Sequence, residues 1–263
     1  CHITPYSTKK TQEKESASLP KHSKEIPPKH TTITFLREHP LKTLMKFAII
    51  AAGEGSRLAQ EGVACPKPLI KLHGEAMIGR LIRIFHQVGA EEIVVIVNRL
   101  HPETEAFINA LIAEHPEWNI TLEVQTTPSS MHSFAVLAPH LDDAPFCLTT
   151  VDTIFREEDL KAYIMSFQKA LEKGFDGCMA VTDFIDDEKP LYVGTDAEMN
   201  IDGFYDDFEP RLKYISGGIY ALTPKAIATL RKCMEEGKSR MRNFQRALIT
   251  DGLHLQAHLF PKI

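Results

Sequence analysis

Ala51 to Leu72 reads AAGEGSRLAQEGVACPKPLIKL: Gly53, Gly55 and Arg57 close together, then Lys67 between two prolines ten positions after the arginine. A glycine turn can aim successive backbone N–H groups at an anion. Arg57 adds a planar fork of donors that matches phosphate oxygens. Pro66 and Pro68 restrict the backbone on either side of Lys67, presenting its ammonium as a point charge from a stiff, extended segment. Such a charge suits a phosphoryl centre where negative charge accumulates during transfer. The competing reading is an ordinary turn followed by an exposed charged loop.

Two common phosphate motifs do not fit. Gly53-Glu54-Gly55-Ser56-Arg57-Leu58 supplies the first two glycines of a dinucleotide GxGxxG turn, but Leu58 replaces the third. That glycine permits close helix–strand packing, so a hydride-transferring enzyme is disfavoured. No Gly-Lys-Ser/Thr follows, which excludes a Walker A loop. A third candidate is Asp152, at the end of the apolar run FCLTTVD. A carboxylate there would reach the crevice at the strand ends and suit Mg²⁺, which takes one or two carboxylates plus substrate phosphates. The competing reading is a cap for the next helix.

These residues need a scaffold that gathers strand ends. KFAIIAA and EIVVIVN are continuous apolar runs, as expected of strands buried on both faces. ITLEVQ, FCLTTVD and GCMAVT continue the series. Between them, MIGRLIRIFHQVG sets Ile78, Leu81, Ile82 and Phe85 on one helical face and ends on a C-cap glycine. Further helices are predicted over PETEAFINALIAEH, 157–174, 224–236 and about 241–251. The alternation predicts an α/β fold with a mostly parallel, Rossmann-like sheet covered by helices on both faces. After Thr182, LYVGTD, MNIDGFYD and YISGGIYAL predict a small antiparallel insertion, before a last strand in LHLQAHLF.

Charge and cysteine usage narrow the partners. Residues 1–44 carry a net charge of +4 and five prolines, whereas the whole chain carries −5. The globular part, residues 45–263, is therefore acidic and a poor match for nucleic acid. Residues 1–44 read as a disordered or non-native extension, with the fold starting at Met45. The five cysteines are scattered and without CxxC spacing, against a disulfide framework or a zinc site and in favour of a reducing, cytoplasmic setting. No apolar run approaches the roughly 20 residues of a membrane helix.

IAAGEGSRL…PKPLIKLHGEAMIGRLIRIFHQVGAEEIVVIV resembles the opening of the sugar-phosphate nucleotidyltransferases, a GT-A-like family that includes choline-phosphate cytidylyltransferases. The resemblance runs through most of residues 45–222. It implies that Gly53, Gly55 and Arg57 hold a triphosphate, with Ser56 in the same loop and Ala51 and Ala52 near the base. It implies that Lys67 contacts the α-phosphate and the incoming phosphate, and that Asp152 binds Mg²⁺, although Val151 replaces the usual glycine before it. Gln125 and Ser130 fall where the base is read, Ser130 in place of a glycine. Gly217 and Gly218 fall beside the acceptor pocket, or else mark a strand bulge.

The family's Glu-Lys-Pro acceptor motif is not reproduced near 206–210, and Glu188-Lys189-Pro190 falls too early. His132 is expected to have a packing or acceptor-binding role, since an anionic phosphate nucleophile needs no base. Arg242 and Arg246 lie on one helical face, either solvated or facing an acceptor phosphate. A second metal aspartate is expected beyond the last strand, past Ile263, or is lost. An NTP-binding half over about 45–160 and an acceptor half over about 161–263 are expected. The activity implied is Mg²⁺-dependent transfer of a nucleotide from an NTP to a phosphorylated acceptor, a sugar 1-phosphate or phosphocholine-like molecule, with release of pyrophosphate. The alternative is a catalytically inactive nucleotide-binding sensor or assembly module of the same fold.

Overall fold

A computed structural model describes residues 45–53, 65–185 and 189–263. In chain order its strands are β1 (Lys46–Ala51), β2 (Lys71–Leu72), β3 (Glu75–Ala76), β4 (Glu92–Val97), β5 (Ile120–Val124), β6 (Phe146–Thr150), β7 (Gly177–Thr182), β8 (Tyr192–Thr195), β9 (Ile201–Tyr205), β10 (Tyr214–Leu222) and β11 (Leu255–Leu259). Its helices are α1 (Met77–Gln87), α2 (Pro102–Glu114), α3 (Ser130–Leu137), α4 (Glu157–Glu172), α5 (Lys225–Glu235) and α6 (Met241–Thr250).

The apolar runs become strands because both of their faces are covered. Phe47 and Ile49 of β1 join one hydrophobic cluster, while Ala48 and Ile50 join the other. The same alternation divides Ile93, Val95 and Val97 of β4 from Val94 and Ile96. Ile78, Leu81, Ile82 and Phe85 of α1 pack into the first cluster with Tyr163 and Phe167 of α4. Phe134 of α3, Leu230 of α5 and Phe244 of α6 fill the second. Helices therefore cover both faces of the sheet, as the sequence pattern predicts. Gly89, at φ 89°, ends α1 with its N–H donating to the His86 carbonyl at 3.0 Å.

The main sheet runs in the order β11-β7-β10-β6-β1-β4-β5, with β8 and β9 attached beside β10. β1 pairs in parallel with both β4 and β6, β4 with β5, and β11 with β7. β8 and β9 form the expected antiparallel insertion. β10 does more than the sequence pattern suggests. It starts against β8, then enters the main sheet antiparallel between β6 and β7. Its second half, Ile219–Leu222, is buried and so belongs to the core. Its register shifts between Ser216 and Tyr220, where Gly218 takes φ 77°.

Residues 1–44 lie outside the described residues. No helix among the described residues is long and apolar enough to cross a membrane.

The junction of β7 and β10 depends on one buried phenol. The Tyr163 hydroxyl donates to the Cys178 carbonyl at 2.5 Å and accepts from the Ala221 N–H at 2.8 Å. Tyr163→Phe removes both hydrogen bonds from a dry core. It should destabilise the fold by about 1–3 kcal/mol, read as a lower urea midpoint with an unchanged slope. An unchanged midpoint would contradict this role.

Candidate active site

The chain runs outward from β1 to β4 and β5, then returns to the other edge of β1 as β6. Open α/β sheets bind ligands where the strand order reverses in this way. Ile50 pairs with Thr150, and the Val151 N–H donates to the Ile50 carbonyl at 3.0 Å. This sets Ala51, Ala52 and Gly53 alongside Thr150, Val151 and Asp152. A cavity of about 430 Å³ opens there, lined by these residues with Lys67, Pro68, Thr127 and the start of α3.

Lys67 reaches the cavity from a tied-down segment. Pro66 is extended (φ −54°, ψ 138°), but Lys67 itself opens a short 3-10 turn over Lys67–Leu69 rather than continuing an extended run. The Leu69 N–H donates to the Pro66 carbonyl at 2.8 Å, and Pro68 is buried. The Met77 N–H donates to the Ile70 carbonyl at 2.9 Å, fastening the segment to α1. The Lys67 Nζ then lies 2.6 Å from Asp152 Oδ2, with side chains 36% and 43% exposed.

Burial pushes the Asp152 carboxyl up. The hydrogen bond from Lys67, the Thr150 hydroxyl and the Lys67 charge together outweigh it and hold the group below the usual carboxylate value. A depressed pKa contributes stability above the unfolded value and loses it as pH falls through the folded one. With both side chains more than a third exposed, that contribution is small. The larger consequence is that Asp152 stays anionic. It does not cap α4, whose N-cap position is Arg156. Among the described residues no group of three His, Cys, Asp or Glu could hold a metal alone. Asp152 fits Mg²⁺ in the mode where substrate phosphates complete the shell.

On the α3 side the Ser129 side chain caps the helix, accepting from the His132 N–H at 3.4 Å, and its hydroxyl lies 2.8 Å from His132 Nδ1. That contact accounts for His132 as a helix-end partner. Ser130, the first helical residue, lines the cavity with Thr127 and Ser133, whose hydroxyls are 2.6 Å apart. Gln125 is exposed and lies outside the lining: β5, the strand before it, is separated from β1 by β4. Gly55, Ser56 and Arg57 lie outside the described residues.

A second cavity, about 1310 Å³, lies across Thr150 and Asp152, which line both. Gly217 and Gly218 line it with Thr153, Arg80, Phe184 and Lys262. Gly217 and Gly218 thus sit at this cavity and also at the β10 irregularity, which matches the reading of a strand bulge. Arg242 and Arg246 line neither of these two cavities. Each donates to Asp206 at 2.6 Å, and Arg246 first, then Arg242, hold that carboxyl below its usual value.

Two positioning residues escape motif reading. Buried Asn98 donates to the Ala52 carbonyl at 2.9 Å and accepts from the Leu100 N–H and the Thr126 hydroxyl, tying the ends of β1, β4 and β5 together. Its signal is a polar residue ending the apolar run EIVVIV. Thr153 accepts from the Thr149 hydroxyl at 2.9 Å and lies 3.1 Å from that of Thr150, bracing the turn that carries Asp152.

The MobA-like NTP transferase domain matches residues 47–247. The chain belongs to this family. The resemblance read from the opening motif therefore holds. Mannose-1-phosphate guanyltransferase of Schizosaccharomyces pombe is 29% identical over 194 residues, 70% of this chain and 51% of the relative. The Gibberella zeae enzyme of the same name is 32% identical over 146 residues, 52% of this chain and 37% of the relative. The family member thus spans about half the length, or less, of these relatives. Among solved structures, a putative glucose-1-phosphate thymidylyltransferase of Bacillus anthracis aligns with a TM-score of 0.70 at 18% identity, covering 83% of this chain and 88% of that one. The inositol-1-phosphate CTP transferase of T. maritima gives 0.67 at 16% identity, over 83% and 86%. These two establish the shared Rossmann-like fold.

The Lys67–Asp152 pair carries its own test. Lys67→Met removes the lysine's hydrogen bond and charge and leaves only the Thr150 hydroxyl and local backbone to offset burial, so Asp152 should titrate at higher pH than in the parent chain. Carboxylate NMR would read this, and an identical titration curve would show that the pair does not set the charge of Asp152.

Proposed function

We propose that this NTP transferase moves a nucleotidyl group from an NTP to a phosphorylated small molecule, of sugar 1-phosphate or phosphocholine type, and releases pyrophosphate. The observation that carries the reading is the position of Lys67 and Asp152. They meet at the boundary of two cavities, one fitted by size and hydroxyl lining to a nucleoside and the other large enough for an acceptor.

The reaction forms one P–O bond and breaks another. An acceptor phosphate oxygen attacks the α-phosphorus, and the bond to the bridging oxygen breaks, so its electron pair leaves on pyrophosphate. No proton need be removed from the attacking oxygen, so the reaction asks no base of His132, which is engaged with a helix cap. Lys67 would stabilise the charge that builds on the α-phosphoryl oxygens, and its tethered segment holds the ammonium ready before the reaction. Gly53, two residues past the end of β1, has no side chain, so the triphosphate can approach the backbone; Gly55 and Arg57 would hold its leaving end. Asp152 would hold Mg²⁺, which when bound screens phosphate charge and draws the reacting groups into line.

The test is pyrophosphate release by the parent chain with a panel of NTPs and acceptors, with and without Mg²⁺. Mg²⁺-dependent release with at least one pair is expected, and Lys67→Ala should lower it by about 10²–10³-fold while leaving the circular dichroism unchanged. Nucleotide binding without release from any pair would instead establish the inactive module. Full turnover by Lys67→Ala would remove the lysine from the mechanism.

A further inference from the structure

The larger cavity is lined by several charged side chains, and nearly all are engaged by other protein groups. Asp152 faces Lys67 at 2.6 Å, and Glu157 takes Arg83 at 3.0 Å. Arg156 lies 3.7 Å from Glu158 and makes two 2.8 Å bonds to Asp159. Arg80 donates to the Phe155 carbonyl at 2.5 Å and lies over the Phe155 ring. Lys262 differs. Among the described residues it has neither a carboxylate within ion-pair distance nor a hydrogen-bond acceptor, and its Nζ lies 4.7 Å from the centre of the Phe184 ring.

The segment bearing Lys262 is fixed from behind. Phe260 is fully buried against Phe155 and Tyr163, and its N–H donates to the Val181 carbonyl at 2.8 Å. Ile263 closes over Gly217: a Cβ on that glycine would lie 2.9 Å from Ile263 Cγ2. Gly217 therefore makes room for the segment that holds Lys262 in the cavity wall. The Phe184 ring gives the side chain a direction without using its N–H donors, since the attraction is to the ring face.

We propose that Lys262 binds the phosphate of the acceptor. The inference rests on the nucleotidyltransferase reading and extends it to a residue outside every motif that suggested it. A lysine whose donors meet no acceptor among the described residues is a compact charge for a phosphate monoester. It also supplies an acceptor-side cation in a chain that lacks the Glu-Lys-Pro motif at the expected place. Phe184 is a positioning residue for it.

The experiment measures binding to the full chain by NMR titration, using mannose 1-phosphate, inositol 1-phosphate, phosphocholine and, separately, a non-hydrolysable NTP analogue. Lys262 is exposed, so its replacement should leave the fold intact. Lys262→Ala should weaken the acceptor that binds the parent best by about tenfold or more, with the analogue bound as in the parent. Lys262→Arg should recover most of the loss, and Phe184→Leu should show a smaller one. Equal acceptor binding by Lys262→Ala and parent overturns the proposal, as does an equal loss for the analogue or no binding of any of the three by the parent. Failure of the parent to bind the analogue would count against the nucleotidyltransferase reading alone, because the acceptor titrations do not depend on it.

Discussion

The arrangement of this site depends on β1 having a parallel partner on each edge. Its residues pair with β4 on one side and β6 on the other, and both faces are sealed by apolar side chains. A strand held on all four sides has no freedom to shift register, because a one-residue slip would exchange its two faces. The chain ends that emerge from β1 and β6 are therefore fixed relative to one another. Between them the change in strand order leaves a crevice. Gly53 continues from one strand and Asp152 from the other, so each takes its place from backbone pairing rather than from its own contacts.

Upon that scaffold the charges divide into two kinds. Arg242, Arg246, Arg83 and Arg156 are matched to nearby carboxylates and serve the fold. Lys67 and Asp152 are matched to each other across 85 positions of sequence, Lys67 lining the smaller cavity and Asp152 both. A half-exposed pair of this type contributes little to stability. Its effect is on charge: Lys67 helps to keep Asp152 anionic at the cavity wall. The threonines at 149, 150 and 153 brace the turn beneath, and Asn98 does the same for the opposite rim.

Much of this is legible in the sequence. The apolar runs and the face of α1 follow directly from two-sided burial and helical period, and Pro66-Lys67-Pro68 marks a lysine held by its backbone. Asp152 is legible as an acid at a strand end, although β6 stops at Thr150 and the acid sits in the turn. What is not legible depends on contacts between distant segments. β10 reads as part of an insertion because its glycines interrupt the pattern; only its partners place half of it in the core. Arg242 and Arg246 resemble a phosphate-binding face until Asp206, 36 and 40 positions away, takes both. Gln125 lies close in sequence to the start of α3, yet it follows the edge strand and is not among the residues that line the cavity.

The central claim is that the nucleotide lies between the ends of β1 and β6 and the acceptor across Asp152 from it. A crystal structure with a non-hydrolysable NTP and Mg²⁺ tests it most directly. The account predicts the nucleoside against Ala51, Ala52 and Ser130, with the α-phosphorus beside Lys67 and its open side facing Gly217 and Gly218. A triphosphate bound away from Lys67, or a nucleoside seated in the larger cavity, would contradict it.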